Sequence, residues 1–300
     1  MASVTCSNMS VLELSNKKMS EETQKIKVRS MFIAPPGHTL VQFDFSQAES
    51  WIVAYLANEH NMKEALIHGD IHSQTGGVFF YDTGCPHAWQ KQTCLLCGVV
   101  ITDVERYVGK RVNHATAYQM KPPRLVQVVN KDSDKPPYVT ITLTQGRMYS
   151  EKWHAYYNIK PWWAEVEAKL NRNRTMVTTY GRERVFFGAW GPELFKEATA
   201  FEPQSTVADH ANGRVHPELG IPGGFLEVHK RYVKRGACRI INQSHDSIII
   251  ETPNNNASEL IPAIKSLLLR PLIIKGEEFT IPVDVEQGER WGEMEKVKVA

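Results

Sequence analysis

Two aspartates define the chemistry open to this chain. Asp44 lies in Phe43-Asp44-Phe45-Ser46-Gln47-Ala48-Glu49, and Asp246 lies in Ser244-His245-Asp246-Ser247. Each ends a β-branched or aromatic run, and most of the chain separates them. A carboxylate at the end of a strand can hold a hard divalent cation. Two of them from distant strands can hold a pair of metal ions around a phosphate. Between them, Arg106, Lys110, His114 and Tyr118 recur at four-residue steps. On a helix of 3.6 residues per turn such steps drift only about 40°, so the four share one side over roughly 18 Å. That stripe suits a triphosphate at its cationic end and a base or sugar at its aromatic end. Arg forks two phosphate oxygens, and Lys supplies a compact charge. Its other reading is a solvated helix face.

The elements that must position these residues alternate in type. His38 to Asp44 reads as a strand and Gln47 to Ala57 as a helix with Ala48, Ile52, Tyr55 and Leu56 on one face. A second helix, Met62 to His68, ends at Gly69 as its C-cap, and Asp70 caps a third through His72 and Gln74. Helical periodicity resumes at Asp103 as N-cap, runs to Tyr118 and stops at Lys121-Pro122-Pro123. Tyr138 to Leu143 alternates like a strand, and Glu151 to Arg172 reads as a helix restarted at Pro161. Thr178 to Arg184 suggests a hairpin, and residues 192–212 a helix. Ala237 to Asn242 and Ser247 to Glu251 form a second hairpin with Asp246 at its tip. A helix from Ala257 to Leu269 and a strand from Phe279 to Val285 close an α+β chain whose small sheet carries both aspartates.

Of 300 residues, 42% are apolar and 23% charged, as in an ordinary globular protein with a large core. The net charge of +2 is too small to argue for a polyanionic partner, so that argument rests on where the charges sit. No leader-like start and no apolar run near 18 residues is present, which gives the expectation of a soluble, cytoplasmic protein without membrane contact. Three of the five cysteines cluster with a histidine as Cys85-Pro86-His87 and Cys94-Leu95-Leu96-Cys97-Gly98. Three sulfurs and one imidazole match the tetrahedral donor set of a structural Zn²⁺, although Cys-x-His is tighter than the usual spacer. The alternative is three reduced thiols in a loop.

The motifs together resemble family A DNA polymerases, the DNA polymerase I group. The segment around Asp44 resembles the family's first motif, the Arg106–Tyr118 stripe its second, on the O helix, and Ser244-His245-Asp246-Ser247 its third. Four further elements fall in order. They are Ile33-Ala34-Pro35-Pro36-Gly37, Asp70-Ile71-His72, Thr179-Tyr180-Gly181-Arg182-x-Arg184, and Gln204-Ser205-Thr206-Val207-Ala208-Asp209.

The resemblance implies a right-hand palm, a small antiparallel sheet with flanking helices, plus helical fingers, with the thumb absent. The palm would take residues 1–57 and 176–300, and the fingers 58–175 with a zinc knuckle inserted at 82–98. It implies that Asp44, Asp246 and the Phe45 carbonyl bind two Mg²⁺. Arg106 and Lys110 would hold the triphosphate with help from His72, and Lys110 would protonate the departing pyrophosphate. Glu49 would exclude a 2′-hydroxyl, with Gln47, His114 and Tyr118 completing the nucleotide pocket. Arg182, Arg184, Gln204 and His245 would meet primer-template DNA. A zinc held by Cys85, His87, Cys94 and Cys97 would stabilise the fingers loop or touch template.

Several positions depart from the pattern. His114 replaces an aromatic, Gln119 a glycine, Ser247 a glutamate, and Ala200 an often polar residue. The expected partners are primer-template DNA, dNTPs and a separate polypeptide carrying thumb and exonuclease, from a split, phage-like gene. The competing readings are a non-catalytic DNA-binding module and, through Ser247, a single-subunit RNA polymerase relative.

Overall fold

The computed structural model describes residues 28–81, 89, 90, 92–131, 133 and 137–298. After one 3-10 turn at Val28–Met31, β1 (His38–Phe45) feeds α1 (Ala48–Leu56), α2 (His60–His68) and α3 (Ile71–Phe80). Short strands β2 (Trp89–Gln90) and β3 (Thr93–Cys94) precede α4 (Asp103–Ala117), α5 (Pro122–Asn130), α6 (Leu143–Tyr156) and α7 (Lys160–Asn173). The hairpin of β4 (Thr175–Val177) and β5 (Glu183–Val185) leads into the long α8 (Pro192–Asn212), then α9 (Gly224–Val228), which runs on as a π-helical turn to Val233. The chain closes with β6 (Arg239–Ser244), β7 (Ser247–Pro253), α10 (Asn254–Leu268), β8 (Pro271–Ile274), β9 (Glu277–Thr280), β10 (Val283–Gly288) and β11 (Glu295–Lys296).

Five strands form one antiparallel sheet in the order β11-β10-β1-β7-β6. Successive side chains on a strand point to opposite faces. Val41, Phe43 and Phe45 therefore enter the main core, each worth about 1.5–3 kcal/mol of burial. Leu40, Gln42 and Asp44 face the other way, toward a small cluster of Leu40, Ile249 and Trp291. The main core face is covered by α10, which buries Ala257, Leu260, Ile261, Ile264 and Leu268 at helical spacing. Across the helical half, Gly76 and Gly109 let α3 and α4 meet backbone to backbone. A Cβ on Gly109 would lie 2.3 Å from the carbonyl oxygen of His72, and one on Gly76 3.1 Å from that of Glu105. This close approach sets His72 against α4. Trp153, Tyr157 and Trp162 are fully buried in the main core.

The structure corrects several element boundaries. The N-cap of α4 is Thr102 rather than Asp103, because Thr102 and Glu105 form a reciprocal capping box. Gly69 does close α2, but in extended backbone. A Cβ there would lie 2.1 Å from the Trp89 carbonyl oxygen, so close packing is what requires glycine. Pro122 and Pro123 open α5 rather than merely ending α4. Residues 138–142 form no strand. Val139 and Ile141 point inward, yet the ladder partner is a side chain: Asn130 accepts from the Ile141 N–H at 2.8 Å and donates to its carbonyl at 3.0 Å. The helix expected from Glu151 is two, with Pro161 in the first turn of α7, where its missing N–H costs nothing. The strand expected from Phe279 to Val285 is cut at Ile281-Pro282 into β9 and β10, which belong to different sheets. No helix among the described residues is long and apolar enough to cross a membrane.

Candidate active site

The sheet brings the two aspartates together. On β1, Asp44 pairs across to Ser247 of β7 and to Asp284 of β10. Asp246 sits with His245 in the two-residue turn between β6 and β7, and its carbonyl accepts from the Phe45 N–H at 3.2 Å. His245 holds a left-handed backbone (φ 48°), which histidine adopts more readily than most residues, and this turn presents Asp246 beside Asp44. Burial raises the Asp44 carboxyl to about 6. Asp246, Asp284 and Glu286 add to that rise, and Lys110 opposes it. Asp246 is also raised, by burial first and then by Glu49, against its own backbone N–H, His245 and Lys110. Lys110, exposed on α4, thus faces both carboxylates.

The stripe that includes Lys110 lies on α4. Arg106 pairs with Asp70 at 2.5 Å, and Asp70 also caps α3 through the His72 N–H and accepts from the Ser73 hydroxyl. The buried His72 ring lies 5.7 Å from that of His114, and burial holds its pKa well below the ordinary value, with His114, Arg106 and Lys110 adding to the effect. His114 is open to solvent on its outer side, yet the protein around the ring lowers its pKa too. At the stripe's end, the Tyr118 hydroxyl donates to Glu49 at 2.5 Å. Burial, then that carboxylate, push the phenol well above its usual range. A small cavity between α1 and α4 is lined by Glu49, Val53, Met62, His114 and Tyr118.

The sequence matches the family-wide pattern of DNA polymerase family A over residues 8–293. The chain belongs to that family. It is 23% identical over 274 residues to DNA polymerase I of Helicobacter pylori, covering 89% of this chain and 26% of that protein. It is 24% identical over 277 residues to the thermostable DNA polymerase I of Thermus aquaticus, covering 88% and 28%. The chain thus spans about a quarter of the length of these curated relatives. Among solved structures it is similar to the POL domain of Pol1 from M. smegmatis in complex with DNA primer-template and dNTP. The TM-score is 0.63 and the identity 19%, over 88% of this chain and 42% of that one. The sheet and the helical half are accordingly the palm and fingers of a family A fold.

On this family A scaffold, Asp44, Glu49, His72, Arg106, Lys110, His114, Tyr118 and Asp246 are linked through the contacts above. Gln47 enters α1 in left-handed backbone (φ 56°), and its buried side-chain oxygen has no hydrogen-bond partner among the described residues. Gln119 also takes a left-handed backbone (φ 60°), the conformation that glycine adopts without cost. Its side chain donates to Thr199 of α8 at 3.0 Å, a bond that offsets the strain. The DNA-facing candidates are less free than their sequence suggests. Arg182 forks onto buried Asp209 of α8, and Arg184 pairs with Glu197, while Gln204 and His245 are exposed.

Sequence reading missed three residues at this site. Asp284 and Glu286 act on Asp44 from the neighbouring strand, and Asn113 contacts His72. The acidic alternation on β10 was the available signal for the first two. For the cysteine cluster, Cys85 and His87 lie outside the described residues, whereas Cys94 is buried on β3 and Cys97 is exposed. Among the described residues no group of three or more His, Cys, Asp or Glu side chains is set to hold a metal ion, so Asp44 and Asp246 stand as a carboxylate pair.

Proposed function

We propose that this chain is the palm-and-fingers core of a template-directed DNA polymerase that adds deoxynucleotides to a primer 3′-hydroxyl by two-metal nucleotidyl transfer. The observation that carries this reading is the meeting of Asp44 and Asp246, far apart in sequence, opposite Lys110 of the O helix. The donor set fits Mg²⁺. It is all oxygen, from two carboxylates and the Phe45 carbonyl, and a divalent cation would offset the burial and the neighbouring carboxylates that raise Asp44. Bound Mg²⁺ would supply charge stabilisation and a more acidic 3′-hydroxyl.

The residues themselves position and move protons. Arg106, held by Asp70, and Lys110 would grip the triphosphate. The exposed Lys110 ammonium can deliver a proton to the departing pyrophosphate as the 3′-oxygen bonds to the α-phosphorus. Glu49, fixed by the Tyr118 hydroxyl, would lie beneath the sugar and exclude a 2′-hydroxyl. Arg182, Arg184, Gln204 and His245 would meet the backbone of primer-template DNA, contacts that check duplex shape and not sequence. Cys94 and Cys97, with Cys85 and His87, supply the donor chemistry of a structural Zn²⁺ in the fingers. If so, metal analysis finds one zinc per chain, and Cys94→Ala loses it while retaining primer extension.

Primer extension with Mg²⁺ and either dNTPs or rNTPs tests the central reading. Incorporation of dNTPs by the protein in its native polypeptide context is expected, and none at all would overturn it. Glu49→Ala should shift relative kcat/KM toward rNTPs by about 10- to 200-fold, the scale of one misfit group in a tight pocket. An unchanged ratio would remove Glu49 from the role of sugar filter.

A further inference from the structure

Asn113 lies on α4 immediately before His114, turned inward toward α3 and α6 and almost fully buried. Its side-chain oxygen accepts from the Trp153 indole N–H at 2.7 Å and from the Thr75 hydroxyl at 2.9 Å. An indole N–H can only donate, so the amide oxygen must occupy this side. The amide nitrogen then faces the Ile71 carbonyl at 3.3 Å, which can only accept, and His72 Nδ1 at 3.2 Å. An amide NH₂ can only donate, so Nδ1 must offer its lone pair. A neutral imidazole carries one N–H, which leaves the proton on Nε2.

Building on the polymerase reading, we infer that Asn113 is a positioning residue: locked by Trp153, it fixes His72 as the Nε2-protonated tautomer, so that the ring meets the triphosphate as a hydrogen-bond donor. The alternative tautomer would turn a lone pair toward phosphate oxygens. Burial beside Arg106 and Lys110 keeps the ring uncharged, so the tautomer decides whether it attracts or repels an anion. The control runs from α6 through α4 to α3, and none of its intermediate residues need touch the nucleotide. The Gly76–Gly109 contact, which brings His72 against α4, makes it sterically feasible.

The test uses the full protein labelled with ¹⁵N-histidine and long-range ¹H–¹⁵N spectra, with His72 assigned by its loss in His72→Gln. The expected result is a bare Nδ1 and a protonated Nε2. Asn113→Asp, whose carboxylate accepts, should move the proton to Nδ1. Adding a dNTP with Mg²⁺ should shift the His72 Nε2 signal in the wild type, and Asn113→Asp should weaken dNTP binding about tenfold or more, the worth of one hydrogen bond to a charged group. A protonated Nδ1 in the wild type would overturn the inference without need of any variant. A bare Nδ1 with an Nε2 signal indifferent to dNTP would overturn its phosphate-facing half. A wild-type protein that binds dNTP as expected but extends no primer would instead count against the polymerase reading and leave the tautomer assignment intact.

Discussion

Asp44→Asn is expected to abolish primer extension, lowering kcat on the order of 10³-fold or more, and yet to stabilise the protein above pH 7. The two effects share one cause. The Asp44 carboxyl titrates at about 6 in the fold, above the ordinary aspartate value of 3.8, because it is buried near Asp246, Asp284 and Glu286. A folded-state pKa raised above the unfolded one means that stability is full below about pH 4 and is lost as pH rises through about 6. Above that, the ionised group costs on the order of 1–2 kcal/mol, once its partial exposure to solvent is allowed for. The uncharged amide escapes that cost. Thermal unfolding at pH 8 should give the variant a higher Tm than the wild type and a flatter dependence between pH 4 and 7. Added Mg²⁺ should raise the wild-type Tm and leave the variant's nearly unchanged. A lower Tm for Asp44→Asn at pH 8 would show that the ionised Asp44 is not destabilised by its burial and its acidic neighbours.

Lys110→Ala should lower kcat by about 10²- to 10⁴-fold, the range of a lost general acid, with little change in stability because the side chain is exposed. Lys110→Arg separates its two roles. Arg restores the positive charge toward the triphosphate but does not give up a proton near neutral pH, so KM should recover and kcat should not. Lys110 also lowers the pKa of both Asp44 and Asp246. Its removal should therefore move the acidic limb of the pH–rate profile upward. Recovery of kcat in the Arg variant would assign Lys110 to charge alone.

Much of this site was legible in the chain because local rules and distant partners agreed. The alternation of β1, the two-residue turn at His245-Asp246 and the four-residue stripe of α4 each declare themselves within a short window. What escaped depends on partners that no window contains. Residues 138–142 alternate like a strand, but whether a strand forms depends on a neighbour, and here Asn130 takes that place. Asp284 and Glu286 become part of the site only through the register of β10 on β1. Arg182 reads as a free cation until α8 delivers Asp209 to it. Asn113 carries no motif of its own, since its role is set by an indole on another helix.

The central place of β1 also governs when the site can exist. β1 precedes both of its partners in sequence, β7, which begins at Ser247, and β10, which begins at Val283. The intervening helices pack through contacts much closer in sequence, and such contacts form first, whereas long-range strand pairing must first meet a large loop-closure cost. During synthesis the fingers helices can therefore assemble while Asp44 still waits on an unpaired strand. Only when β6 and β7 have emerged can Asp44 meet Asp246, so the carboxylate pair cannot form while the fingers helices alone have been made.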